Sequence, residues 1–122
     1  MAQYQGRKAK LDHMKKKRAD LGSDPRKPKL ADADKEEARE NVRVRGGGYK
    51  TVVNKVKFVN VSIPGGKTTK VAIKLVEDNP ADKEFRRENI LSLGGVLDTE
   101  LGKVKITSRP SQDGVVNAVL LK

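Results

Sequence analysis

From Val42 onward, apolar and polar positions tend to alternate with a period of two, as half-buried strands do. Val42-Arg43-Val44-Arg45 alternates before Gly46-Gly47-Gly48. Thr51–Ile63 is a long strand-forming run without a clean register: Val53, Lys55, Lys57, Val59 and Val61 fall on one side, and Val52, Val56 and Phe58 near or on the other. After the Pro64-Gly65-Gly66 turn, Thr69–Val76 sets Val71, Ile73 and Leu75 against Lys70 and Lys74. Asn79-Pro80-Ala81 interrupts the pattern, and Asp82–Asn89 holds enough helix formers for one or two turns. Further short strands are expected at Ile90–Leu93, Val96–Thr99, Lys103–Thr107 and Val115–Leu121. They are separated by Gly94-Gly95, Leu101-Gly102 and Pro110–Gly114, the last ending in the strong turn dipeptide Asp-Gly. Six or seven short strands with one helical turn predict a small antiparallel β-barrel, closed or nearly so. Closure removes the sheet edges that so small a core would otherwise leave open.

Upstream of Val42 the pattern disappears. Residues 1–30 carry ten Lys and Arg against three acids, and their larger apolar residues are only Met1, Tyr4, Leu11, Met14, Leu21 and Leu30. Such a segment cannot bury enough surface to offset its ordering entropy, so alone in water it is expected to be irregular. Residues 31–41 are locally acidic and read either as a short helix capped by Asp32 or Asp34, or as a solvated linker. The expected organisation is a basic extension (1–30), an acidic linker or short helix (31–41) and a β-barrel domain (42–122).

Composition narrows the partners. The chain has 122 residues, a formal charge of +11, 3% aromatic residues and no cysteine. A core of Val, Ile and Leu favours compact β structure. Without cysteine there is no disulfide framework or thiolate chemistry, as suits a reducing cytoplasm. No apolar run is long enough for a signal segment or a membrane span. A basic balance of this size makes nucleic acid the leading partner class and an anionic membrane surface the second. The extension lacks the large apolar face that a membrane-surface helix needs.

The chemistry-like motifs dissolve on inspection. Ile63-Pro64-Gly65-Gly66-Lys67-Thr68 resembles a phosphate-binding loop, but Val61 stands where the first glycine belongs and a strand follows. His13 is the sole histidine, so neither a His-based metal site nor a Ser-His-Asp triad has its second anchor. Asp98 and Glu100 would share a strand face and mimic a catalytic carboxylate pair, but Lys103 or Lys105 across a hairpin is the simpler partner. No catalytic residue, cofactor, metal or small-molecule substrate is expected. The candidate RNA-binding residues are Arg7, Lys8, Lys10, His13, Lys15, Lys16, Lys17, Arg18, Arg26, Lys27 and Lys29 in the extension, with Arg43, Arg45 and Lys50 from a second basic cluster that also holds Lys55 and Lys57. Gly46, Gly47 and Gly48 are either a flexible tip or a place where backbone approaches phosphate. With so few aromatics, the expected mode is contact to phosphates and shape rather than base stacking.

Three blocks carry a family resemblance. They are Gln5-Gly6-Arg7 with His13–Gly22; Arg43–Gly47 with Asn79-Pro80-Ala81 and Arg87–Ile90; and, most specific, Thr99–Lys103 with Thr107–Leu120. In this order they resemble the archaeal and eukaryotic (e-type) small-subunit ribosomal protein eight family, in its short archaeal form. Two departures stand out. Lys10-Leu11-Asp12 leads straight into His13 where members carry a Thr-Gly-Gly turn, and the acidic Ala31–Asn41 replaces an expected Pro-Thr segment. The resemblance implies a structural constituent of the cytoplasmic small ribosomal subunit. Its partners would be small-subunit ribosomal RNA and neighbouring ribosomal proteins, and Arg109 becomes an RNA-facing loop residue. Gln112, Asp113, Gly114 and Asn117 are expected to fix the last hairpin through side-chain-to-backbone bonds. The rival readings are a free RNA-binding chaperone or translation factor and, more remotely, a nuclease using Asp98 and Glu100.

Overall fold

The structure, a computed structural model, describes residues 25–32 and 34–121. In chain order it holds β1 (Lys29–Leu30), β2 (Ala38–Arg43), β3 (Tyr49–Val56), β4 (Phe58–Ile63), β5 (Lys67–Asp78), α1 (Lys83–Arg87), β6 (Val96–Thr99), β7 (Gly102–Ile106), α2 (Pro110–Asp113) and β8 (Asn117–Leu120). The mainly β class stands. β4 to β8 close into a barrel, and β1, β3 and β2 form a separate three-stranded sheet. Four barrel seams are antiparallel, but the closing seam of β4 on β8 is parallel, with Val61 opposite Ala118. Local turn signals mark hairpins; a parallel seam between distant strands leaves no such mark.

The run Thr51–Ile63 is two strands rather than one. Val53 and Val56 enter the core from β3, and Val59 and Val61 from β4. Steps of three residues, from 53 to 56 to 59, break a period of two. Lys57 is the pivot: its backbone N–H donates to Glu37 Oε1 at 3.3 Å and its carbonyl accepts the Ile73 N–H at 2.9 Å. β5 departs from simple alternation too. Val71 and Ile73 are buried as expected, yet Leu75 is 45% exposed and Val76 is buried instead. The register against β6 slips between Ile73 and Leu75, as a β-bulge produces, and the slip turns Leu75 outward.

No described residue of the acidic segment is helical. Ala38–Asn41 already belongs to β2, so the strand expected from Val42 begins four residues earlier. Its alternating charges suit an edge strand, whose outer rim must discourage pairing with other chains. α1 falls within the expected 82–89, capped by Asp82 accepting the Glu84 N–H at 3.0 Å. The strand expected at Ile90–Leu93 reduces to one bridge between Ile90 and Lys29. Pro110–Asp113 is a short helix instead of an open turn, with Pro110 in its first turn where the missing N–H costs nothing.

The basic extension is expected to be irregular through residue 30, but its last two residues, Lys29 and Leu30, form β1. Pro28 is buried and its carbonyl accepts the Leu91 N–H at 2.8 Å. β1 runs parallel to β3, with Leu30 opposite Val56. Leu30 N–H reaches Asn89 O at 2.9 Å, and Ala31 N–H reaches Val56 O at 2.8 Å. Asn79 supports this junction from within. Its Nδ2 donates to Ile90 O at 3.1 Å, while its Oδ1 accepts from Ala81 N–H at 3.1 Å and Ser92 Oγ at 2.7 Å.

Candidate nucleic-acid interface

The β2–β3 hairpin gathers one group of the expected residues. Arg43 ends β2, Arg45 to Gly48 form the connection, and Lys50 lies near the start of β3. Val44 N–H donates to Gly48 O at 2.8 Å, which closes the tip. Gly46 and Gly47 take φ of 89° and 83°, a left-handed pair that side chains resist, so the tip carries almost no bulk. Arg43, Arg45 and Lys50 are exposed and form no ion pair with any described residue.

The second group surrounds the point where the extension meets the domain. Arg26, Lys27 and Arg109 line a groove of about 180 Å³ floored by Phe85, Leu93 and Pro110. Lys27 Nζ stands 5.4 Å from the centre of the Phe85 ring, within cation–π range. Arg109 is set by α2: its backbone N–H donates to Asp113 Oδ2 at 2.9 Å, leaving the guanidinium exposed.

Two of the expected RNA-binding cations form ion pairs with described residues of the protein. Arg26 Nη1 meets Glu40 Oε2 at 2.9 Å, and Lys29 Nζ meets Glu88 Oε2 at 2.8 Å. The hydrogen bond from Arg26, aided by Asn54, holds the Glu40 carboxyl below its ordinary value; the Lys29 hydrogen bond does the same for Glu88. Both bridges pin the end of the extension, so sequence counts overstate its free charge. Arg7, Lys8, Lys10, His13, Lys15, Lys16, Lys17 and Arg18 lie outside the described residues.

The carboxylate decoy comes apart. Asp98 sits on β6 opposite Lys103, whereas Glu100 lies in the following turn. Lys103 itself pairs with Glu77 of β5, which raises the Lys103 pKa. The phosphate-loop mimic is the β4–β5 hairpin, with Ile63 opposite Lys67. One residue of interest was missed from sequence. Tyr49, directly after the glycines, is 70% exposed on the strand face shared with Arg43. The available signal was its position, an aromatic embedded among Arg43, Arg45 and Lys50; a low overall aromatic count obscured it.

These features define a class: a small β-barrel with a cationic leader and cation-bearing loops, and with no cluster of His, Cys, Asp and Glu fit to hold a metal ion among its described residues. The sequence matches the family described as Ribosomal protein S8e over residues 2–121. It is 42% identical to the small ribosomal subunit protein eS8 of Staphylothermus marinus across 130 aligned positions, covering 100% of this chain and 99% of that one. It is 43% identical to the protein of the same name from Pyrobaculum aerophilum, covering 96% and 87% of the two chains. With that of Picrophilus torridus the identity is 42%, over 95% and 90%. The chain belongs to the S8e family of ribosomal proteins.

Proposed function

We propose that this protein is a structural constituent of the small ribosomal subunit, binding ribosomal RNA through its basic leader and the cationic loops of its fold. Its partners are small-subunit RNA and neighbouring ribosomal proteins, its place is the cytoplasmic ribosome, and it catalyses no reaction. The observation that carries this reading is the family correspondence over residues 2–121, which takes in leader and barrel as one unit. The charge distribution supports it. Acids on the domain hold the end of the leader through Glu40 and Glu88, while Arg43, Arg45, Lys50 and Arg109 stay exposed around two separate features. The barrel is then a rigid spacer, and affinity comes from cations displacing the counterions of RNA phosphates.

The test is the salt dependence of binding to small-subunit ribosomal RNA. If about six leader cations meet phosphate, the leader adds about −4 to −5 to the slope of log K against log salt, on top of what the loops contribute. Removing residues 1–24 leaves β1 in place and flattens that slope towards the contribution of the loops alone. A slope unchanged by the truncation refutes the role given to the leader. A protein that never sediments with the small subunit refutes the ribosomal role.

A further inference from the structure

The inner face of the β2–β3 sheet does not stop where its cover stops. Along β3, Val53 points into the core and Thr51 meets α2's end, where a Cβ built on Gly114 would lie 3.1 Å from Thr51 Cβ. Tyr49, two residues further on, lies on the same face. It has no cover: it is 70% exposed, the highest value among the exposed large apolar side chains, and its phenol bonds to no described residue. Arg43 is its register partner across the hairpin, so the guanidinium and the ring occupy one face. Beside them on that face, Thr51 Oγ1 donates to Asn41 Oδ1 at 2.8 Å, tying the two strands together at the neighbouring pair.

We propose that this overhang is a nucleotide-binding ledge, where an unpaired RNA base stacks on the Tyr49 ring and Arg43 takes its phosphate. The inference rests on the RNA-binding reading above and adds a mode of contact to it. Aromatic faces accept any base, and neighbouring cations reinforce the stack. A protein partner burying Tyr49 would have to supply its own acids to Arg43 and the nearby Arg45, whereas a nucleotide carries a flat ring and a negative charge in one unit. A continuous duplex would satisfy the cations but leave the ring bare. An unpaired nucleotide satisfies both.

The chain has two tyrosines and no tryptophan, so a Tyr4→Phe background makes Tyr49 the only strong emitter. The full-length protein is titrated with a twelve-nucleotide oligoadenylate and, separately, with a twelve-base-pair RNA duplex. The ledge requires saturable quenching of Tyr49 emission by the single strand but not by the duplex. It also requires about ten-fold weaker single-strand binding in Tyr49→Ala, near-normal binding in Tyr49→Phe, and an unchanged salt slope in both. Absent quenching, or wild-type affinity in Tyr49→Ala, overturns the ledge while leaving the leader's phosphate contacts standing. If the unaltered protein binds neither the oligonucleotide nor small-subunit ribosomal RNA, the proposed function falls and takes the ledge with it.

Discussion

Gly114 is the position where one added methyl does most harm. Its φ is 73°, and a Cβ there would stand 2.9 Å from Thr51 O with no flexible side-chain end to yield. Gly114→Ala is expected to destabilise the fold by about 1–3 kcal/mol, combining left-handed backbone strain with a forced separation of α2 from β3. For a domain this size, thermal melting should register a fall of roughly 4–8 °C per kcal/mol. Gly65→Ala, where φ is 115° but nothing lies within 4 Å, isolates the backbone part of that cost. The surrounding block was readable in part from sequence. Asp113 does bond back to backbone, at Arg109, but Asn117 accepts instead from the Asn60 side chain at 3.1 Å across the parallel seam. Short-range polar bonding follows from residue type and spacing. A side-chain pair fifty-seven positions apart does not.

At the scale of elements, the hairpins and α1 were legible because turn dipeptides and helix formers act over a few residues. β2 was misplaced because Ala38-Arg39-Glu40-Asn41 has a solvated composition, and only pairing with β3 makes it a strand. β1 was invisible for the same reason: two residues at the end of a charged run gain a strand conformation from a neighbour outside their own sequence. The candidate cations were legible as a set, yet nothing local distinguished Arg26 and Lys29, held by acids, from Arg43 and Arg45, held by no acid among the described residues. Those acids give the junction a pH response. Both carboxyls lie below their ordinary value of 4.5 in the folded protein, so the bridges contribute fully at neutral pH and are lost as acidification protonates them. Amide resonances of Lys29 and Leu30 should therefore shift below about pH 4.5. In a Glu40→Gln, Glu88→Gln double variant that acid response should disappear. Retention of the transition in the double variant would show that other groups fasten β1.

At the scale of the whole molecule, sheet and barrel share one interior. Val53 and Val56 from β3 pack in the same cluster as Val61, Leu97, Val104 and Ile106 from the barrel. The three-stranded sheet has no separate apolar cluster among the described residues and relies on the one that the barrel strands build, so urea should unfold the chain in a single transition. Tyr49 emission, which reports on the hairpin, and far-ultraviolet dichroism, which reports on all strands, should give the same midpoint. A hairpin melting ahead of the barrel would mean that the junction at Lys57 is a hinge rather than a weld. The parallel seam of β4 on β8 bears on how this shape arises during translation. Ladders from β4 through β7 can form as each partner leaves the exit tunnel, but the ring stays open until residues 117–120 emerge. By then the cationic leader, which is N-terminal to every strand, is already outside, so its charges are exposed before the cylinder has shut.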